Sequence, residues 1–359
     1  MDVVRKCDGW RVRRIALVSL AAASALAILL APAGASAASP TVPWGFNEDW
    51  GWSNGGFNSA QTANLQMQKA GAIMPDALSA NRFHVMWSYV ESTRGRYDWS
   101  VSDAQYAAMQ TYTRKPIMLL YRAPLWARDP ARSCAFGGEE YCIYPQLPKY
   151  DKQWQAFVKA AVSRYRNIRA IEIWNEPNLA RYWSPAADPA RYATILKEAH
   201  DAVWSARSNV PVVTGGIYPA ATANGNVKAA DFLRQVYATA GASAFEGIGS
   251  HPYVNKPSYV DGMRSRLDAL RTVRDQNGDS ATPLWITEAG IATDSSGVPP
   301  DQQAGVLTDL YHSIEGTDVR SFVIHRFYDV GGDFYGVVNN DLTPKPAYCG
   351  LGAAIGTVC

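Results

Sequence analysis

Residues 169–176 read RAIEIWNE, with Pro177 and Asn178 directly behind them. An apolar, strand-like run ends within three positions on an amide, a carboxylate and a proline. Proline cannot donate to a strand ladder, so regular pairing should stop beside Glu176. The stretch therefore reads as a strand that delivers an acid to its own tip.

Working outward, seven more runs of the same kind occur after residue 40: 42–48, 81–87, 116–122, 211–217, 245–253, 283–290 and 320–327. Between them lie segments of helical period. Trp154, Phe157, Val158, Ala161, Val162 and Tyr165 form one apolar stripe, and Tyr192, Ile195, Leu196, Ala199 and Val203 form a second. Met263, Leu267, Leu270 and Val273 make a third, and Val306, Leu307, Leu310 and Ile314 a fourth. Such stripes are packing surfaces. Eight strands alternating with helices predict an α/β chain closed into a single (β/α)8 barrel. An open doubly wound sheet is the alternative, but the loop after the first strand has no GxGxxG pattern to open a phosphate-binding helix.

The chain has 359 residues, of which 47% are hydrophobic, enough for one large core. Its formal net charge of +2 argues against a nucleic-acid partner. Residues 1–37 stand apart: Arg5, Lys6, Arg11, Arg13 and Arg14 precede a long apolar run, which ends at Ala35, Ser36 and Ala37. This predicts a secretory signal peptide over 1–37, cleaved near Ala37, and a (β/α)8 domain over 38–359 that is secreted and free of the membrane. The rival reading is an uncleaved anchor, since the apolar run is close to spanning length. Export favours disulfides, and local pairing of Cys134 with Cys142 and of Cys349 with Cys359 is expected. A zinc site fits poorly, because neither pair has CxxC spacing and no histidine stands near. No metal or organic cofactor is implied.

In a closed parallel barrel, functional side chains sit at the carboxyl ends of the strands. Glu176 ends the fourth strand and Glu288 lies near the end of the seventh. Period-two alternation puts Leu284, Ile286 and Glu288 on one face, so two barrel-filling residues should lead to the second acid. In the fourth strand the same rule groups Glu172, Trp174 and Glu176 and leaves Asn175 opposite; a bulge or an end of regular strand at Trp174 is needed to aim both Asn175 and Glu176 at one cavity. A single strand-end glutamate is ordinarily a solvated charge. Two of them on strands that lie nearly across a barrel supply what hydrolysis of a glycosidic bond needs.

WNEP at the fourth strand and ITEAG at the seventh together resemble clan A of the glycoside hydrolases, (β/α)8 enzymes with a catalytic Glu after each of these strands. Residues 82–103, RFHVMWSYVESTRGRYDWSVSD, are similar to the strand-two region of families 5 and 39 in the spacing of Arg82, Trp87, Glu91, Gly95 and Tyr97-Asp98-Trp99. The resemblance implies a glycosidase acting on a carbohydrate substrate with retention, Glu176 as general acid/base and Glu288 as nucleophile. It further implies that Asn175 binds the sugar 2-hydroxyl, that Arg82 holds the nucleophile ionised, and that His251 and Tyr253 lie beside it. Trp126, with Trp44, Trp50 and Trp52, offers faces for sugar stacking. One departure concerns the eighth strand, where the family usually has a Trp and this chain has IHRFYD (324–329). His325 or Phe327 is the expected replacement, with Arg326 available to read the substrate. A carbohydrate-binding barrel without catalysis and a transglycosylase using the same two acids are the competing functions.

Overall fold

The computed structural model describes residues 42–48, 59–74, 80–112, 115–131, 143–206, 209–254 and 258–355, with backbone alone at 52–53, 56–57 and 207. The chain divides into two compact units, residues 1–36 and 37–359. The predicted signal segment lies outside the described residues. No helix among the described residues is long and apolar enough to cross a membrane.

Eight strands form one sheet: β1 (Trp44–Asn47), β2 (Arg82–Met86), β3 (Ile117–Tyr121), β4 (Ala170–Asn175), β5 (Val212–Gly216), β6 (Ile248–Ser250), β7 (Leu284–Ala289) and β8 (Val319–His325). All adjacent pairs are parallel, in the order β5-β4-β3-β2-β1-β8-β7-β6. The two ends of that order meet: Val213 bridges Gly247 and Ile217 bridges Ser250. The amide of Thr214 also donates to the Gly247 carbonyl at 3.0 Å. The sheet is therefore a closed (β/α)8 barrel and not an open doubly wound sheet. Each predicted strand is present, trimmed by a residue or more at most ends; the largest change is at β6, where His251, Pro252 and Tyr253 lie past the strand.

Helices follow the strands: α1 (Ala60–Gly71), a single turn α2 (Trp87–Val90) with α3 (Ser100–Tyr112), α4 (Asp151–Arg164), α5 (Pro189–Arg207), α6 (Ala229–Ala240), α7 (Tyr259–Gln276), α8 (Gln303–His312) and α9 (Pro346–Ala354). Ser59 caps α1 by accepting from the Thr62 amide at 3.1 Å, which satisfies one of the donors a helix start leaves open. The predicted stripe of α4 is its buried face, Trp154, Phe157, Val158, Ala161 and Val162. That of α7 is likewise buried at Met263, Leu267, Leu270 and Val273.

The apolar interior has two parts. The larger lies between strands and helices, and a smaller cluster of Ile117, Ala170, Val213, Trp285 and Val323 fills the barrel itself. This corrects the expectation for β7. Leu284 and Ile286 belong to the outer layer, and Trp285 is the barrel-filling residue. Of the four cysteines after residue 37 only Cys349 is described, and it is disulfide-bonded; Cys134, Cys142 and Cys359, and with them the expected pairings, lie outside the described residues.

Candidate active site

Strict alternation along β4 would send Trp174 inward and Asn175 outward. The backbone prevents this, because Trp174 has φ +73° and Glu176 has φ +44°. A left-handed conformation costs an ordinary L residue about 1–2 kcal/mol. The turn points the Trp174 ring out of the barrel, where it packs on Trp183 at 5.1 Å and donates from Nε1 to the Tyr182 carbonyl at 2.6 Å. Asn175 and Glu176 then both line the cavity. Past Pro177, the Leu179 amide donates back to the Glu176 carbonyl at 2.9 Å and closes the turn.

A different irregularity does the same on β7. Phe322 pairs with Ile286 and Ile324 with Ala289, so β7 spends three residues where β8 spends two. The bulge lets consecutive side chains, Thr287 and Glu288, face inward together. Thr287 donates to Glu172 Oε1 at 2.8 Å, and Glu288 Oε1 accepts from Arg82 at 2.6 Å.

Arg82, fully buried on β2, joins the two halves. Its Nε donates to Glu172 Oε2 at 2.6 Å, its Nη1 to Glu288 Oε1 at 2.6 Å and to Asn47 Oδ1 at 3.0 Å, and its Nη2 to Asn175 Oδ1 at 2.7 Å. Two carboxylates and a guanidinium this deeply buried are tolerable only with this degree of pairing. Because Arg82 takes the Asn175 oxygen, the amide NH2 of Asn175 is the part left to face the cavity.

The acids meet over this layer. Ligand atoms of Glu176, His251 and Glu288 all lie within 4.8 Å of one another. His251 Nδ1 is 2.8 Å from Glu176 Oε1 and 3.7 Å from Glu288 Oε2, and the Tyr253 hydroxyl donates to Glu288 Oε2 at 3.0 Å. Burial pushes both carboxyls up. At Glu176 it prevails over the opposing pull of His251, and the group titrates above the usual range. At Glu288 the charges of His251, Arg82, His325 and His84 outweigh burial and hold the group well below that range. Two acids a few ångströms apart thus differ in protonation over a wide pH interval, which suits one to donate a proton and the other to act as an anion. The same three residues are of the types that bind metal, but both oxygens of Glu288 already accept from Arg82, Asn47 and Tyr253, and an adjacent guanidinium opposes a cation.

The acids open into a cavity of about 440 Å³. His325, at the end of β8, lines it and contacts Tyr253 and Tyr335 edge-on or tilted, at 6.0 and 5.5 Å between rings, so of the two residues expected to face the cavity there it is His325 that does. Its imidazole titrates above the ordinary value, since Asp333 and Glu288 together overcome burial. Sequence reasoning overlooked Asn47, His84, Tyr218 and Tyr335. Asn47 ends β1, where the strand-end rule reaches it, and His84, in the middle of β2, faces inward with Arg82 by alternation; Tyr335 sits in the loop after β8, where periodicity carries no signal.

Other expected site residues do not reach the cavity. Trp126 donates from Nε1 to the Glu91 carbonyl at 2.7 Å and packs edge-on against Trp87 at 5.5 Å and Tyr150 at 5.4 Å, so its ring belongs to loop packing. Trp44 is fully buried. Phe327 is buried against Phe46 at 5.2 Å, and Arg326 is spent on Glu48 at 2.6 Å and Asp333 at 3.3 Å. The side chains of Trp50 and Trp52 lie outside the described residues.

A closed parallel barrel with two unlike carboxyls at the ends of its fourth and seventh strands defines the class of site. No family model matches the chain. Among solved structures, it is similar to a monomeric β-xylosidase from Caulobacter crescentus CB15, with 20% identity and a TM-score of 0.62 over 81% of this chain and 64% of that one. A GH39 enzyme from Xanthomonas axonopodis pv. citri matches at 18% identity and TM-score 0.63, over 88% of this chain and 65% of that one. The GH5_18 protein from Streptomyces cattleya, in complex with GlcNAc, matches at 16% identity and TM-score 0.62, over 89% and 80%. The chain spans just under two thirds of the length of the first two. At these identities the likeness establishes the barrel fold.

Proposed function

We propose that this chain is a secreted glycosidase that cleaves O-glycosidic, β-linked bonds of a poly- or oligosaccharide with retention, through a covalent glycosyl-enzyme. The observation that carries the reading is the pair Glu176 and Glu288, with oxygens within 4.8 Å and opposite shifts in titration. Retaining enzymes hold their carboxyls ~5–5.5 Å apart, and inverting ones ~6.5–9.5 Å to admit a water. The fold neighbours include a β-xylosidase and an exo-β-1,4-mannosidase, which agrees with a sugar substrate.

In the first half-reaction Glu288 attacks the anomeric carbon and Glu176 gives its proton to the departing oxygen. In the second, Glu176 takes a proton from water, which displaces Glu288. Arg82 and Tyr253 hold Glu288 in place by hydrogen bonds, and the Asn175 amide is set to donate to a sugar hydroxyl near the cleaved bond. Export through residues 1–37 and the disulfides Cys134 with Cys142 and Cys349 with Cys359 belong to the same proposal and rest on the sequence.

The test uses a panel of aryl glycosides and polysaccharides. Turnover should vanish in Glu288→Ala and return with azide as a product of inverted configuration; full activity in that variant would sink the assignment. Sugar binding without any turnover in the wild type would favour a carbohydrate-binding barrel, and dominant transfer to sugar acceptors would favour a transglycosylase.

A further inference from the structure

Below the two acids runs a buried chain of hydrogen bonds whose direction can be worked out. Glu172, Thr287 and His251 are all fully buried. Glu172 accepts at Oε2 from Arg82 Nε at 2.6 Å and at Oε1 from the Gly216 amide at 2.8 Å, and both of these partners can only donate. The Thr287 hydroxyl lies 2.8 Å from the same Oε1. Turned the other way, it would set its lone pairs against a fully buried carboxylate oxygen, so its single hydrogen is committed to Glu172. Toward His251 Nε2, 3.1 Å away, Thr287 then offers only a lone pair, and Nε2 must carry a proton.

We propose that Thr287, oriented by Glu172, locks neutral His251 as its Nε2–H tautomer and so leaves a lone pair on Nδ1, the atom that faces Glu176. Thr287 is a positioning residue; it touches no reacting atom. The neutral ring, so held, can only accept at Nδ1, and the partner that donates is the Glu176 O–H. With the ring neutral, this hydrogen bond favours the protonated acid, whereas the cationic ring, donating from Nδ1, pulls Glu176 down. The opposite tautomer would donate from Nδ1 and favour the carboxylate, which cannot serve as the acid.

Among the described residues, further charged or titratable groups around the pair include Glu288 on β7, Arg82 on β2, Tyr253 after β6, Arg181 and Tyr182 in the loop after β4, and Tyr218 after β5. On one side the ring is bounded by β5: a Cβ on Gly216 would stand 2.0 Å from Nε2, so the imidazole lies directly against the backbone there.

The inference rests on Glu176 being the acid only for its consequence in activity; the tautomer itself is read without substrate. In long-range proton–nitrogen spectra of the full chain labelled with 15N-histidine, wild-type His251 should appear as Nε2–H when neutral. Thr287→Val should release it to the Nδ1–H form, and the alkaline limb of kcat/KM on an aryl glycoside should move down by roughly one pH unit. Thr287→Ser, which keeps the hydroxyl, should restore both the tautomer and the limb. An Nδ1–H wild type, or a folded Thr287→Val with unchanged tautomer and limb, overturns the proposal. If no glycoside is hydrolysed, the spectra alone decide it, and the failure belongs to the proposed function.

Discussion

Glu176 and Glu288 bring carboxylate oxygens within 4.8 Å of each other from opposite sides of the barrel, yet the fold holds them in different states. Burial alone would raise both. Only at Glu288 do the nearby charges, His251 and Arg82 foremost, outweigh it.

That difference fixes the sign of two pH effects. The proposed mechanism requires Glu288 ionised and Glu176 protonated, so kcat/KM should be bell-shaped, with the acid limb set by Glu288 and the alkaline limb by Glu176. For stability, a carboxyl raised in the folded state contributes fully below its unfolded value of 4.5 and loses that contribution as pH rises through the folded value. The Tm of wild type should therefore fall relative to Glu176→Gln as pH rises from 4.5. Glu288 works in reverse: its contribution is present above 4.5 and fades as pH falls toward the lowered value, so the gap to Glu288→Gln should narrow in acid. Parallel Tm curves for all three proteins would contradict the assigned directions.

Removing the acid should expose its role through the leaving group. Glu176→Ala should slow substrates with poor leaving groups by ~10²- to 10⁴-fold, the usual worth of general acid catalysis, and spare activated aryl glycosides in the first half-reaction. A Brønsted plot of kcat/KM against leaving-group pKa should steepen in the variant. Equal loss across the series would rule out proton donation.

Arg82 is bound to both Glu172 and Glu288 at 2.6 Å with no solvent contact. Breaking a buried pair by deleting one partner costs about 3–5 kcal/mol, because it strands the other charge. Urea unfolding of Arg82→Met should show at least that loss, with the acid limb of activity displaced upward. Arg82→Lys keeps the charge but not the fork, and should fall between the two. Arg82→Met within about 1 kcal/mol of wild type would mean that the network does not bear on stability.

The placement of the aromatic residues is separately testable. Trp126→Phe leaves the Glu91 carbonyl without its donor and should cost about 1–3 kcal/mol of stability while KM stays unchanged. His325→Ala should do the opposite, raising KM through the loss of a cavity wall while Tm moves little. A higher KM in Trp126→Phe would return that ring to the substrate.

These cases mark what could be read from the sequence. The barrel was legible, since strands and helices follow from period two and period 3.6, and so were both acids, which the strand-end rule reaches directly. Aim was not legible. Asn175 and Glu176 share a cavity because Trp174 takes φ +73°, and Thr287 joins Glu288 because β7 bulges against β8. Both are departures from regular structure, which alternation misassigns by construction. Trp126 failed for a related reason: an aromatic ring in a loop serves packing or binding with the same residue type, and only its neighbours decide. Tyr335 reaches the cavity from a loop, so no pattern foretold it.

Gly216 offers the sharpest test of how closely the site is built. Its amide donates to Glu172 at 2.8 Å, and an added Cβ would lie 2.0 Å from His251 Nε2 and 2.2 Å from Cδ2. Gly216→Ala adds one carbon on the inner wall of β5 and removes no hydrogen-bonding group, so the barrel should persist with near-native circular dichroism. The imidazole must retreat, taking Nδ1 away from Glu176. A displacement of about 1 Å in a catalytic constellation costs on the order of 10²-fold in rate. A crystal structure of the variant should show His251 shifted and the contact with Glu176 lengthened, with kcat reduced accordingly. Unchanged kcat with His251 displaced would remove this histidine from the proton-transfer machinery.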